Sequence, residues 1–265
     1  MQTAGNKSSF LLIRWTNFLT FILTIVVNGL AGSTKFIGGK NTAQVSDSYP
    51  TLITPAGYVF SIWGIIYILL GVYVVYQLFA GPRVENFQRR IGWFFVLSCI
   101  FNVVWLFLWQ FEYLTLSVIL MFLLLATLIK IYLRLDIGKS KISFTERLVF
   151  HLPFSVYLGW ISIASIANVA ATLVSLKWDG FGIDFTIWAT LILIVVLLIT
   201  LIILVKRKDI AYALVVVWAL LGVSVKQGGN QTIVLLTEVF TVIIVIALAT
   251  TVVFTFIRGR KNGYQ

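Results

Sequence analysis

Charged residues are scarce in this chain, and their scarcity excludes a soluble fold. Only 11% of the 265 residues are charged, whereas 60% are hydrophobic and the mean hydropathy is +1.01. A water-soluble domain of this length could not bury so much apolar surface. The short alternating segments that are typical of transmembrane β-barrels are also missing from the sequence. The composition therefore predicts an all-α integral membrane protein.

Cysteine and histidine are nearly absent, which excludes several kinds of site. Cys99 and His151 are the single representatives, so no disulfide framework and no Cys/His metal site is expected. We find no phosphate-binding glycine motif and no Ser/His/Asp order. We therefore predict no catalytic residues and no metal, and an enzyme is the less favoured function. His151 is interpreted as an interfacial residue near Glu146 and Arg147 rather than as an axial haem ligand.

Long apolar runs are what the sequence has in abundance. A membrane-spanning helix needs about 20 mostly apolar residues, and eight runs approach or exceed this length. They cover residues 10–31, 56–80, 91–111, 114–134, 148–174, 185–205, 210–226 and 232–257. We therefore expect eight transmembrane helices, joined by short loops except for a longer connection at residues 32–55.

Positive charge is distributed unevenly among the connections between these runs. When every lysine and arginine is assigned to the nearest extramembrane segment, sixteen of the 20 fall in alternate segments, beginning with the N-terminal one. By the positive-inside rule, both termini are expected to be cytoplasmic, in the cell (inner) membrane. The net charge of +11 is thus read as an orientation signal. Because the charges lie in short, scattered loops, we expect the lipid bilayer and no nucleic acid as a partner.

Polar and aromatic residues inside the predicted spans form stripes along single helical faces. An amide in hydrocarbon is costly unless it is hydrogen-bonded, so such a stripe is expected to face the bundle interior or a cavity. With a rise of about 1.5 Å per residue, side chains from three helices fall at a similar depth below the 32–55 connection. The residues in this layer are Trp63, Tyr67, Asn102, Trp105 and Asn168, with Thr24 and Asn28 nearby. We interpret the layer as a ligand pocket.

Helix packing is the alternative interpretation of these stripes, because amides and serines also join transmembrane helices without any ligand. For four further tryptophans near predicted helix ends, an interfacial aromatic belt is the favoured interpretation. They are Trp15, Trp93, Trp178 and Trp188.

Three motifs in these stripes are similar to those of one known family. The segment YLGWISIASIAN, residues 157–168, resembles the fifth-helix pattern of the tryptophan-rich sensory protein family, also called the translocator protein or TspO/MBR family. Further matches are Pro55 with Trp63 and Tyr67, and Asn102 with Trp105. Order along the chain and helix number agree as well.

The sequence departs from the family pattern at the entrance to the second helix and in the number of helices. The family's usual Pro-Pro pair is here Thr54-Pro55, and Phe60 stands one residue farther from that proline than expected. The resemblance covers about residues 1–175, which we assign as a five-helix membrane core. Residues 176–265 are assigned as a three-helix C-terminal membrane extension, so the chain resembles a long form of the family.

The resemblance implies a bundle that binds tetrapyrroles, such as protoporphyrin or haem, or sterol-like compounds beneath the first extramembrane loop. The implied function is a membrane receptor or sensor for a small hydrophobic, planar ligand, with no required cofactor but a porphyrin or haem as a bound group. The implied ligand-binding residues are Trp63, Tyr67, Asn102, Trp105, Tyr157, Trp160 and Asn168. A secondary transporter of a porphyrin-like solute and a porphyrin-degrading enzyme are the alternatives. A homodimer is also implied.

Glu238 is a carboxylate within the last apolar run, and an intramembrane acid is a functional hypothesis by default. Lys226, at the end of the preceding run, is its expected partner in an intramembrane ion pair. A proton relay through Glu238 is the competing interpretation, and a Schiff base on Lys226 is disfavoured because the lysine lies at a helix end.

Overall fold

The computed structural model describes residues 4–33, 36–79 and 83–261, and its regular structure within these ranges is entirely helical. The helices are α1 (Ala4–Ser33), α2 (Thr42–Ser48), α3 (Ile62–Phe79), α4 (Arg83–Ile91), α5 (Phe94–Gln110), α6 (Leu114–Leu135), α7 (Phe144–Glu146), α8 (Leu152–Ser175), α9 (Phe185–Arg207), α10 (Ile210–Lys226) and α11 (Gln231–Lys261). Two short 3-10 turns, at Gly57–Ser61 and Gly180–Gly182, and a π-helical turn at Arg147–His151 lie between them. The predicted all-α class is confirmed.

Each predicted apolar run coincides with a long helix, namely α1, α3, α5, α6, α8, α9, α10 or α11. Within the described ranges, six helical stretches are long and apolar enough to cross a membrane, and α4 with α5 makes a seventh if this pair, bent by 52°, is one span. The 17-residue α10 is shorter than an ordinary span. An integral membrane protein is thus confirmed, while the count of eight spans stays a prediction.

Close aromatic packing fixes the central helices of the predicted core. Tyr73 in α3 contacts Phe95 in α5 and Phe154 in α8, with ring centroids 5.0 and 5.3 Å apart. All three side chains are fully buried. Edge-on aromatic pairs of this kind add to the stabilisation from apolar burial, so α3, α5 and α8 form a well-defined frame on which the candidate site is built.

The C-terminal helices pack directly on this frame through α10. A Cβ added at Gly159 in α8 would lie 3.1 Å from Val215 Cβ, and one added at Gly222 would lie 2.1 Å from Val59 Cγ2. Trp218 Nε1 also donates a hydrogen bond to the Val59 carbonyl at 3.1 Å. Helix α10 therefore lies so close to the 3-10 turn before α3 that only glycine fits at Gly222 without displacing its neighbours.

Residues 36–55, here called the cap loop, cover one end of the bundle and include α2. Lys40 Nζ lies 2.7 Å from Glu112 Oε1, and the Tyr49 hydroxyl donates to Glu112 Oε2 at 2.5 Å. Donation by Lys40 and then by Tyr49 lowers the pKa of Glu112. Trp109 Nε1 donates to the Thr42 carbonyl at 3.2 Å. These contacts attach the cap loop to the α5–α6 end of the bundle.

Candidate ligand-binding site

Trp63 lies at the centre of a group of aromatic side chains from α3, α5 and α8. Its indole stacks on Tyr67 and on Trp105, with ring centroids 5.6 and 6.0 Å apart. Tyr157 and Trp160 contact the same indole edge-on, at 6.0 and 6.2 Å. We call these five residues the aromatic cluster. The structure therefore brings together five of the seven side chains that sequence reasoning assigned to a ligand.

Asn102, the sixth predicted residue, is completely buried beside the cluster. Its Nδ2 donates to the Tyr157 hydroxyl at 3.1 Å, and its Oδ1 accepts from Asn28 Nδ2 at 2.7 Å. These bonds offset the cost of burying an amide in an apolar bundle. Asn28, placed near this depth by the stripe on the first helix, thus joins α1 to the site.

Asn168, the seventh predicted residue, connects three helices. Its Oδ1 accepts a hydrogen bond from Trp105 Nε1 at 2.8 Å, and its Nδ2 donates to Ser117 Oγ at 2.8 Å. Ser117 in α6 was not singled out in the sequence, because a single serine in an apolar run carries no periodic signal. The amide of Asn168 therefore holds the orientation of Trp105 in the cluster.

The free space at the predicted site is a narrow cleft of about 30 Å³ between the cluster, the cap loop and α8. This volume holds about one or two water molecules. Phe60, Trp109 and Ala164 also line it. The predicted residues are gathered as expected, but their own rings fill the space that sequence reasoning left for a ligand. The predicted site therefore contains little free space in this structure.

Trp160 in the wall of the cleft has a polar side-chain atom in a buried position. Its side chain is only 2% exposed and lines the cleft. Within the described part of the chain, its Nε1 has no hydrogen-bond partner. A buried donor without an acceptor costs about 1–3 kcal/mol. Trp160 thus combines a place in the wall of the cleft with a buried donor that has no acceptor among the described residues.

A larger cavity of about 570 Å³ lies beside the cleft, also beneath the cap loop. Ser46 lines both spaces, and Trp178, Phe185 and Trp188 form an aromatic wall of the larger one. Sequence reasoning missed this cavity because it assigned Trp178 and Trp188 to an interfacial belt. The wall forms only where the C-terminal helices pack against the core, and no periodicity within one helix reports that contact.

The structure does not bring Lys226 and Glu238 together, so the predicted intramembrane ion pair is wrong. Lys226 forms a salt bridge with Asp47 of the cap loop. Glu238 is exposed on α11 and accepts a hydrogen bond from Ser224 Oγ at 3.2 Å. The physical reason is that Lys226 ends α10 directly beneath the folded cap loop, whereas Glu238 lies about two turns inside α11.

His151 lies far from the aromatic cluster. It ends the π-helical turn before α8, and about 13 Å of helix rise separates it from Trp160. The side chain is buried, and its Nε2 has no hydrogen-bond partner among the described residues. Those residues contain no group of three or more metal-binding side chains. His151 is therefore not placed to bind a haem iron at the cluster.

Comparisons with known proteins identify the family. The profile of the family described as TSPO-like protein matches residues 14–254. No curated protein and no solved structure matches the chain. The matched range includes α9, α10 and most of α11, which the sequence motifs in α3, α5 and α8 do not reach. The chain, long C-terminal part included, therefore belongs to the TSPO-like protein family.

Proposed function

We propose that the protein is a membrane receptor or sensor that binds a hydrophobic planar ligand, a tetrapyrrole or a sterol-like compound, at the aromatic cluster beneath the cap loop. The observation that carries the proposal is the unpartnered Nε1 of Trp160 in a cleft walled by flat indoles. Indole faces offer large apolar contact to a ring system. The Trp160 N–H would donate to a carboxylate, carbonyl or hydroxyl oxygen on its edge.

Binding at this site requires the closed cluster to open. A ligand would replace the ring contacts of Trp63 with its own, while the cap loop moves outward. The Lys40–Glu112 pair that holds the loop is partly exposed, with side-chain exposures of 40% and 33%. Such pairs contribute at most about 1 kcal/mol. The contacts of Tyr49 with Glu112, of Trp109 with Thr42 and of Lys226 with Asp47 must also break. We assign release of the cap loop as the step that admits the ligand.

The charge distribution supports an orientation for this site. We place both chain termini in the cytoplasm and the cap loop on the opposite side of the cell membrane, because most lysines and arginines fall in the segments on the terminal side. A ligand would then enter from outside the cytoplasm. A homodimer remains part of the proposal, carried from the family resemblance alone.

The test is a titration of the protein in nanodiscs with protoporphyrin IX. Binding is measured from the absorption of the porphyrin, so that the signal does not depend on the tryptophan that is replaced. We expect saturable binding that Trp63→Ala and Asn168→Ala each weaken about tenfold or more. Trp15→Ala is the matched control, since Trp15 is 54% exposed on α1. Unsaturable binding, or equal binding by all three variants, would contradict the proposal.

The same preparation separates a receptor from the alternative functions. A receptor leaves the bound porphyrin intact under illumination and moves none of it across the membrane of a proteoliposome. Light-dependent loss of porphyrin would favour a degrading enzyme. Uptake that is abolished by Glu238→Gln would favour a transporter.

A further inference from the structure

A second space, distinct from the cleft, runs between α8 and α9. The cavity of about 570 Å³ beneath the cap loop is one part of it, and a cavity of about 660 Å³ farther along the same two helices is the other. Four residues line both parts, namely Ala170, Leu173, Trp188 and Ile192. The two cavities therefore adjoin along α8 and α9, and we call them together the α8–α9 groove.

Polar atoms in the groove are concentrated at its mouth. In the deep part, the hydroxyls of Ser162 and Ser165 donate to the Leu158 and Ile161 carbonyls of their own helix. The remaining wall there is almost wholly aliphatic and aromatic. The mouth, by contrast, contains Asp47, Lys226, Gln227 and Asn230. This gradient matches an amphiphile with one polar end.

The length of the groove favours a linear chain over a compact ring system. Its lining along α8 runs from Leu158 to Val174, which is about 24 Å at 1.5 Å per residue. The hydrocarbon thickness of a bilayer is about 30 Å. The groove therefore follows most of the membrane depth, and an extended long chain can lie along it from the mouth downward.

The charges at the mouth favour an uncharged head group. Lys226 and Asp47 already neutralise each other in a salt bridge. A carboxylate beside the Lys226 ammonium would be repelled by Asp47, and an ammonium beside the Asp47 carboxylate would be repelled by Lys226. A hydroxyl group can accept from the Lys226 ammonium and donate to the Asp47 carboxylate without separating them.

We propose that the α8–α9 groove is a second binding site, which holds a long-chain amphiphile with an uncharged hydroxyl head, of the monoacylglycerol or long-chain alcohol type. The head lies beside Lys226 and Asp47, and the chain passes Ala170 into the deep part. The site is separate from the aromatic cluster, because its walls include α9 and Lys226 at the end of α10, which take no part in the cluster.

Photo-crosslinking in nanodiscs tests this site, with a trace amount of a monoacylglycerol that carries a diazirine on its chain. We expect labelled peptides from residues 158–174 and 188–203, and loss of that label when excess unmodified monoacylglycerol competes. Ala170→Trp fills the neck between the two parts and is expected to reduce this label about tenfold. Ala249→Trp is the matched control, because Ala249 is exposed on α11 outside the groove.

The site would be overturned if excess unmodified monoacylglycerol removed the same amount of label from Ala170→Trp as from Ala249→Trp. Labelling spread evenly over lipid-facing helices would also overturn it. If Ala170→Trp fails to fold, Ala170→Phe takes its place. A photoreactive fatty acid of the same chain length, above its pKa, is expected to label the groove about tenfold less. Equal or stronger labelling by the fatty acid would overturn the assignment of the head group. Ala170→Trp should still bind protoporphyrin normally, so this proposal and the cluster proposal fail separately.

Discussion

The two faces of α8 that border the cleft and the groove use their polar atoms differently. On the cleft side, Asn168 bonds to Trp105 of α5 and Ser117 of α6. On the groove side, Ser162 and Ser165 bond to carbonyls of α8 itself. Side chains that bond between helices hold them together, whereas those that bond within one helix add nothing across the gap. Asn168 thus joins α8 to its neighbours on the cleft side, whereas Ser162 and Ser165 bond within α8 on the groove side.

The largest effect is expected when an interhelical bond on α8 is compared with an intrahelical one. Asn168→Leu leaves the buried Trp105 Nε1 without its acceptor, so we expect a loss of about 1–3 kcal/mol in the free energy of unfolding. Ser165→Ala removes a bond within one helix and should cost less than about 1 kcal/mol. Unfolding in mixed micelles with increasing denaturing detergent measures both. Equal losses would remove the distinction between the faces.

A smaller effect, on ligand affinity rather than stability, is expected from Trp160→Phe. The change keeps an aromatic ring but removes the unpartnered Nε1, so stability should not fall. Protoporphyrin should bind about 2–12-fold more weakly, which corresponds to one hydrogen bond of about 0.5–1.5 kcal/mol.

Trp188→Phe is the control for this change on the groove side of α8. It loses the bond from Trp188 Nε1 to the Gly180 carbonyl, which is 3.0 Å long, yet should leave porphyrin affinity unchanged. Wild-type affinity in Trp160→Phe would show that its N–H does not meet the ligand.

The smallest effect concerns the attachment of the cap loop. Hydrogen bonding to Glu112 raises the pKa of Tyr49, and donation by Lys40 and then by Tyr49 lowers the pKa of Glu112. The contribution of Glu112 is therefore present above the ordinary carboxyl pKa of about 4.3 and is lost as the pH falls through the lowered value. The contribution of Tyr49 is lost only when the pH rises through its raised pKa.

Hydrogen exchange of residues 36–55 measures this attachment. At neutral pH, Glu112→Gln should speed exchange several-fold relative to the wild type, because the pair is partly exposed and contributes at most about 1 kcal/mol. After correction for intrinsic exchange rates, the exchange rates of the wild type and Glu112→Gln should become equal in strong acid. A difference that does not change with pH would show that the Glu112 charge does not hold the loop.

The parts of the fold and site that follow from local periodicity could be predicted from the sequence. Apolar runs of sufficient length predict the long helices. Polar or aromatic residues at helical spacing predict which face of a helix points into the bundle. Trp63 and Asn168 lie at the same level of the bundle, as predicted, because the rise of a helix and the directions of its side chains depend only on local backbone geometry. Even Asn28, far away along the chain, was placed at the right depth.

Features that depend on how distant segments pack could not be predicted. Lys226 pairs with Asp47, 179 positions away, because the cap loop folds over the end of α10. The closing of the cleft depends on the rotamers of Trp63 and its neighbours. The groove depends on the distance between α8 and α9. None of these leaves a periodic signal, so the ion pair with Glu238 was a wrong inference from sequence proximity.

The most direct test of two separate sites is ¹⁹F NMR of the protein with all nine tryptophans fluorinated. Signals would be assigned by single Trp→Phe changes. Protoporphyrin is expected to shift the signals of Trp63, Trp105 and Trp160 and to leave those of Trp178 and Trp188 in place, while a monoacylglycerol does the reverse. A porphyrin that shifts only Trp178 and Trp188 would contradict the assignment of the aromatic cluster as the site of the planar ligand.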